Sequence, residues 1–302
     1  MTPKDKTLTI KVAGGLGNQL FMFYGGLHIA HSLGKTPVFD IRALESMKNL
    51  HPGLNVLDLG LLANYQVIDE VERNALVSTL GVLIERIIRK IGPESLSGKN
   101  TKKFLPREIG YIDPNSIDNK VTTLEGYFQS WRYVASMQFR PKLLNLLEEK
   151  SSSWFKETLS DLKKEKPIAI HIRRGDFLRP ENRSLGILSK EYFTKILRLN
   201  PDRSVWIFSD STLENLTEFT KLGAVTRIVL PPLHSDPIDS LLLMSRADTL
   251  AISNSTFSWW AGILSSPNSL IYAPEKWFER RSDPIDLIPT NWHRIPSEWE
   301  RQ

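Results

Sequence analysis

The segment "HIRRGDF", residues 171–177, places two adjacent guanidinium groups and a carboxylate behind a short apolar run. A guanidinium stays charged at any working pH and grips a phosphate or carboxylate through two parallel hydrogen bonds. Successive residues of an extended chain point to opposite sides. One of Arg173 and Arg174 can therefore face a ligand squarely, while the other pairs with a carboxylate, and Asp176 is near. A purely structural arginine–aspartate clamp at a strand end would use the same residues. In "FSDS", residues 208–211, the acceptor-only carboxylate of Asp210 suits either paired N–H donors, such as the edge of guanine, or the cap of a following helix. "SNSTFSWWAG", residues 253–262, sets the hydroxyls of Ser255, Thr256 and Ser258 ahead of an apolar helix. A helix N-terminus with free N–H groups seats a phosphate, though one of these residues could simply cap it. "GGLGNQ", residues 14–19, offers Gly15 and Gly17, where backbone can approach a substrate, and then the neutral amide of Asn18.

Each cluster follows a run that reads as a strand. Thr7–Val12 is β-branched and free of breakers, and after the glycine turn a helix starting at Asn18 or Gln19 carries Leu20, Phe23, Tyr24, Leu27 and Ala30 at helical spacing. Gly34 ends that helix, and "TPVFD" is a second strand ending at Asp40. "VTTLEGYFQSWRYV" reads as strand, turn at Gly126 and helix start, and residues 140–166 as one long charged helix leading to a second unit. From Pro167 onward strand, loop and helix alternate. Ser189 caps the helix in "SKEYFTKILRL", a capped helix follows "RSVWIFSDST", and "NSLIYAP" is the last strand. Such alternation predicts parallel sheets with helices on both faces, and ligands then sit at the carboxyl ends of strands. Four polar clusters at four strand ends describe one site between two domains.

The chain has 302 residues, 41% of them hydrophobic, enough for two ordinary domains with sizeable cores. Without cysteine there are no disulfides or thiolate sites, which suits a reducing compartment, and the six histidines show no metal-binding spacing. No secretory signal and no apolar run of about 18 residues is visible. The net charge of +5 fits a phosphorylated substrate, an anionic membrane or nucleic acid equally. The excess is local: residues 84–107 hold seven Lys/Arg against two Glu, and Arg86, Arg89 and Lys90 share a segment with an apolar stripe. That stretch reads as a basic amphipathic helix, either a solvated face on a core helix or a surface for membrane or partner.

"GGLGNQLFMF", "GYFQSWRY", "HIRRGDF", "FSDS" and "SNSTFSWWAG", in this order, resemble the bacterial α-1,2-fucosyltransferases of glycosyltransferase family 11. The H-x-R-R-x-D pattern is also similar to that of α-1,6- and protein O-fucosyltransferases, so it marks the donor more than the linkage. The resemblance implies a GT-B-type α/β fold of two Rossmann-like domains facing a central cleft. Residues 1–155 would form the acceptor side and residues 156–302 the GDP-fucose-binding side. It implies metal-independent, inverting transfer of L-fucose from GDP-β-L-fucose to the 2-hydroxyl of a terminal galactose. The acceptor would be a glycan or lipid-linked oligosaccharide, handled in the cytoplasm or on the inner membrane's cytoplasmic face, with no nucleic acid involved. By the same resemblance Arg173 neutralises the β-phosphate, His171 and Asp210 contact guanine, Ser255, Thr256 and Ser258 lie near the diphosphate, and Asn18 lies near the reacting centre. Gly15, Gly17, Arg174 and Asp176 complete the expected donor site. The general base is open among Asp40, Glu125, His28 and His31, with Asp40 carried as the candidate. The rival reading is an NAD(P)-dependent oxidoreductase, on the strength of Gly15-x-Gly17 and Asp40, but Leu20 stands where a third glycine belongs. A non-catalytic nucleotide-sugar-binding module is the other alternative.

Overall fold

A computed structural model describes residues 6–47, 53, 55–69, 103–104, 109–136, 138–232 and 236–301. The basic stretch around Arg86–Lys90 and most of the Ser/Gly/Lys-rich loop after it lie outside the described residues. Two all-parallel sheets organise the rest.

The N-terminal sheet is built from β1 (Thr7–Lys11), β2 (Thr36–Asp40), β3 (Gln66–Ile68), β4 (Lys103–Phe104) and β5 (Thr123–Leu124), in the order 3-2-1-5-4. Between β1 and β2 runs α1 (Leu16–Ser32), and α2 (Arg42–Met47) follows β2. The first helix starts earlier than the sequence suggests. Gly15 is its N-cap in extended conformation, and its carbonyl already accepts from Gln19 N at 3.1 Å. Leu33 closes the helix, and Gly34 takes the left-handed φ of +64° that favours glycine beyond a helix end.

Residues 140–166 form two helices, α3 (Arg140–Glu149) and α4 (Ser153–Glu165), where one was expected. Ser152 separates them: its hydroxyl accepts from Phe155 N and so caps α4, while its Oγ donates to Asp239 at 2.6 Å. The 155/156 boundary drawn from the sequence falls inside α4.

The C-terminal sheet contains β6 (Ile168–Ile172), β7 (Ser204–Ser209), β8 (Ala224–Ile228), β9 (Thr249–Ala251), β10 (Leu270–Pro274) and β11 (His293–Ile295), with the helices α5 (Lys190–Arg198), α6 (Ile238–Ser245) and α7 (Thr256–Leu264). Its order is 11-10-9-6-7-8, the doubly wound Rossmann order, with the reversal between β6 and β9. Right-handed crossovers running outward from that point cover opposite faces. Three details differ from the sequence reading. "NSLIYAP" is followed by β11, which is short and carries little β signal. Two 3-10 turns, Glu214–Leu216 and Phe219–Lys221, replace a helix after β7. Ser189 holds the N-cap position of α5, yet its side chain makes no capping bond.

Strand parity sorts the core. Ile168, Ile170 and Ile172 of β6 belong to one apolar cluster with Tyr192, Phe193 and Phe219, whereas Ala169 belongs to a second cluster that continues into the N-terminal sheet. That second cluster joins Leu8 and Ile10 to Trp259 and Trp260, so the two domains share a core at the α1–α7 contact.

Candidate functional site

The site lies where the carboxyl ends of the two sheets meet. At the reversal point of the C-terminal sheet β6 and β9 run side by side. His171, the fourth residue of β6, is 3% exposed and hydrogen-bonds through Nδ1 to Ser253 Oγ, just beyond β9, at 2.8 Å. Burial, helped by the nearby Arg173 charge, lowers its pKa to about 3, so the imidazole is neutral at physiological pH. His171 shares parity with Ala169 and lies on the domain-junction side, where Phe257 packs 6.1 Å from its ring centre.

Arg173 continues that parity. Its guanidinium sits between two carboxylates, with Nη2 paired to Asp176 and Nη1 to Asp210 at 2.7 Å. Asp210, at the end of β7, also accepts from Arg174 N at 3.0 Å. Gly175 makes this possible: a Cβ there would overlap the Asp210 carboxylate, with Cγ at 2.8 Å. Asp176 thus pairs with the first arginine of the motif, not the second. Arg174 turns to the opposite face, where its side chain is 11% exposed, stacks over Phe219, and pairs with Glu300 and, at 3.2 Å, with Glu218. This corrects the expectation that Arg174 binds donor: alternation sends it under the sheet end, into an acidic pocket. Burial, reinforced by the neighbouring Glu218 and Glu191, raises the Glu300 pKa against the opposing pull of Arg174.

The hydroxyl loop divides its labour. Ser253 holds His171, and Asn254 Nδ2 holds the carbonyls of Leu185 and Gly186, each at 3.1 Å. Ser255 is the N-cap of α7 with its hydroxyl unused for capping. Ser258 is fully buried and donates to Ser255 O at 3.2 Å, so it braces its own helix instead of facing a ligand. Thr256 is half-buried and touches α1. The opening turn of α7, with Ser255 at its cap, therefore presents helix N–H groups beside the carboxyl end of β6.

Across the junction Gly14 adopts φ +79°, and its carbonyl accepts from Gln19 Nε2 at 2.7 Å. Gln19, 4% exposed, also accepts from Val56 N at 3.1 Å. Gly17 was expected to line the donor site. It is buried instead against α7, where a Cβ would come within 2.6 Å of the Thr256 carbonyl carbon, and its own carbonyl accepts from Trp260 Nε1 at 2.9 Å. Its missing side chain serves domain contact. Gly15 and Asn18 are half-buried. Asn18 Oδ1 accepts from Gln129 Nε2 at 3.0 Å, which joins the first turn of α1 to the segment after β5 across the N-terminal reversal point. Sequence reasoning missed Gln129, Gly175 and Glu300. Their signals were faint: a glycine between two charges, and a buried amide 111 residues from its partner.

Asp40 does not suit the role of base. It is 6% exposed and bound in a fork by Arg42, with Nε at 2.9 Å and Nη2 at 2.7 Å. Burial alone would raise its pKa, but the Arg42 hydrogen bonds and charge, with Lys11 beyond, lower it overall. Glu125 is held by Lys11 at 3.1 Å and by Lys103; there too burial is outweighed and the pKa is lowered. Among the described residues no three His, Cys, Asp or Glu side chains gather as a metal site would require.

Against this geometry stand the relatives. The model of the family described as "Glycosyl transferase family 11" matches residues 7–295. The chain belongs to glycosyl transferase family 11. Membership makes it a glycosyltransferase and removes both the oxidoreductase and the binding-only readings. It is 26% identical to an alpha-1,2-colitosyltransferase of Escherichia coli over 94% of this chain and 97% of that protein. It is 23% identical to a galactoside 2-alpha-L-fucosyltransferase of Caenorhabditis elegans over 95% of this chain and 79% of that one. Among solved structures, the fucosyltransferase NodZ from Bradyrhizobium is similar, with 15% identity, 86% of this chain and 94% of that chain covered, and a TM-score of 0.44. The glycine turn of this family member is a wall of the domain junction, and Leu20, fully buried, is a core residue of α1. No helix among the described residues is long and apolar enough to cross a membrane.

Proposed function

We propose that this family 11 member transfers L-fucose from GDP-β-L-fucose, with inversion, to the 2-hydroxyl of a terminal galactose on a glycan or lipid-linked acceptor. The observation that carries the reading is Arg173: a guanidinium just past the carboxyl end of β6, one of the two strands at the topological reversal point. Departure of GDP builds negative charge on a phosphate oxygen and positive character on the sugar. A preorganised guanidinium and helix N–H groups in a water-poor junction favour that separation without a metal ion. The two carboxylates that hold Arg173 keep it aimed before the donor arrives. An incoming diphosphate competes with them, which leaves Asp210 available for the nucleoside's N–H donors. His171, neutral and fixed to Ser253, supports the floor of this seat. Asn18 contributes an uncharged amide from the opposite wall.

The similarity to a colitosyltransferase favours one second reading, GDP-colitose as donor, a sugar that lacks the 3-hydroxyl of fucose. A site that hydrogen-bonds the 3-hydroxyl would discriminate against the analogue without it by about 10⁴–10⁵-fold, whereas a pocket shaped for the deoxy sugar would reject the hydroxyl by only about 100-fold. The test offers both GDP sugars with a β-galactoside and determines the linkage of the product. An α-1,2-fucosylated galactoside is the expected result. Turnover with GDP-colitose alone would contradict the fucose reading, and turnover with neither would contradict both.

A further inference from the structure

Gln129 is built into the junction by means that a structural residue would not require. It follows β5 by five positions, and the turn between them contains Phe128 at φ +49°, the left-handed region that a bulky side chain rarely adopts. The strain is held in place by packing. Phe128 is fully buried, and it fills the space left by Gly25 in the middle of α1, where a Cβ would lie 2.6 Å from Phe128 Cβ. Mid-helix glycine is itself unfavourable relative to alanine, so the helix gives up stability to admit this turn. On the far side the segment is tied down by Gln129 N donating to Ile109 O at 2.6 Å, Ser130 Oγ donating to Asp286 O at 2.9 Å and Trp131 N donating to the same carbonyl at 2.9 Å.

The outcome of this arrangement is one long-range contact, Gln129 Nε2 to Asn18 Oδ1 at 3.0 Å. Gln129 is 5% exposed, and its own Oε1 is buried without a protein hydrogen-bond partner. A buried unpaired carbonyl is destabilising, and a core with no other purpose would replace such an amide with an apolar side chain. The amide's effect on Asn18 is specific. With one end engaged by Gln129, the Asn18 carboxamide is held in place, and its Nδ2 lies near Gly14, 3.2 Å from where a Cβ on that residue would sit.

We propose that Gln129 is a positioning residue for glycosyl transfer: its hydrogen bond holds the Asn18 carboxamide in place at the junction, where the bound substrates meet. A carboxamide is not a base, so Asn18 orients a substrate hydroxyl and does not take the acceptor's proton. It hydrogen-bonds a sugar hydroxyl, and Gln129 supplies the constraint. The inference rests on the GDP-sugar reading above and on Asn18 lying at the reacting centre.

The experiment is a double-mutant cycle on purified full-length protein with Gln129→Met, which retains volume and removes the amide, Asn18→Ala, and both together. Turnover is measured with GDP-fucose or GDP-colitose, whichever the wild-type chain uses, and GDP-induced stabilisation reports donor-side binding and folding. Misplacement of a positioned group by about 1 Å costs on the order of 100-fold. Gln129→Met is expected to lower kcat about 10- to 100-fold, leave the GDP-induced melting shift unchanged, and have little further effect once Asn18 is alanine. Additive losses in the double variant, or a kcat near wild type in Gln129→Met, would overturn the proposal. Should Gln129→Met fail to bind GDP, Gln129→Asn serves as the second variant; with an amide too short to reach, it must show the same coupling or the proposal fails. A wild-type chain inactive with both GDP sugars contradicts the donor reading, a result distinct from an active chain without coupling.

Discussion

His171 is buried in its neutral form, and that has a consequence for stability. Its folded-state pKa, about 3, lies below the ordinary value of 6.5. Below pH 6.5 the unfolded chain takes up a proton that the folded chain refuses. The folded state is therefore favoured fully above pH 6.5, and this contribution is lost as pH falls through the window from 6.5 toward 3. The slope for one proton is at most about 1.4 kcal/mol per pH unit. Urea unfolding between pH 7 and pH 4 should show a fall in stability that becomes shallower in His171→Gln; an unchanged slope would mean that other groups carry the acid sensitivity. At this scale much of the site was legible. Alternation along an extended strand required one arginine of the pair to turn away, although it could not say that Glu300 would receive Arg174 and that Asp176 would go to Arg173. Asp40 was misread because the sequence shows a carboxylate at a strand end but not the fork that Arg42 closes over it two residues on.

At the scale of elements, α1 and α7 meet through residues chosen for closeness. Phe21 lies 4.4 Å from Trp259 and 5.3 Å from Trp260 between ring centres, and Trp260 Nε1 reaches the Gly17 carbonyl. A methyl group on Gly17 would meet backbone of α7 at 2.6 and 2.7 Å, where nothing flexible can yield. Gly17→Ala should destabilise the protein by about 1–3 kcal/mol, the usual cost of overpacking, and depress activity by moving the α7 N-terminus away from Arg173. Thermal unfolding and turnover check this together; a variant with wild-type melting and activity would show that the contact is loose. The glycine turn was legible as a turn and as a place of close approach. What approaches it was not, because the partner lies on a helix about 240 residues later in the chain. The break at Ser152 was hidden for a similar reason: a charged helical pattern runs through it, and the residue that selects a cap there, Asp239, comes from another element.

At the scale of the molecule, two parallel sheets with a shared aromatic core bring two reversal points face to face. The strand, loop and helix rhythm made a parallel sheet with helices on both faces readable in the C-terminal half, while the strand order emerges only from the structure. The C-terminal segment was less so. Residues beyond β10 return to the N-terminal domain, where Asp286, at φ +54°, receives Ser130 and Trp131 on its carbonyl and Arg132 on its carboxylate at 3.2 Å. This strap holds the Gln129 turn against the junction. A site so assembled from both domains should respond to its nucleotide as a whole. A ligand at 100 times its dissociation constant stabilises by about 2.7 kcal/mol, so saturating GDP is expected to raise the melting temperature while NADH leaves it unchanged. A rise with NADH alone would contradict the donor seat at β6 and α7.

Arg173 carries the central claim, that charge at the carboxyl end of β6 draws a diphosphate leaving group away from the transferred sugar. The most direct measurement is kcat/KM for fucose transfer from GDP-fucose to a β-galactoside by Arg173→Ala and by the wild-type chain, with circular dichroism confirming that both are folded. Loss of one such preorganised donor costs about 100- to 1000-fold, and a fall of that size or larger is predicted. A folded Arg173→Ala variant that turns over within a few-fold of wild type would contradict the account.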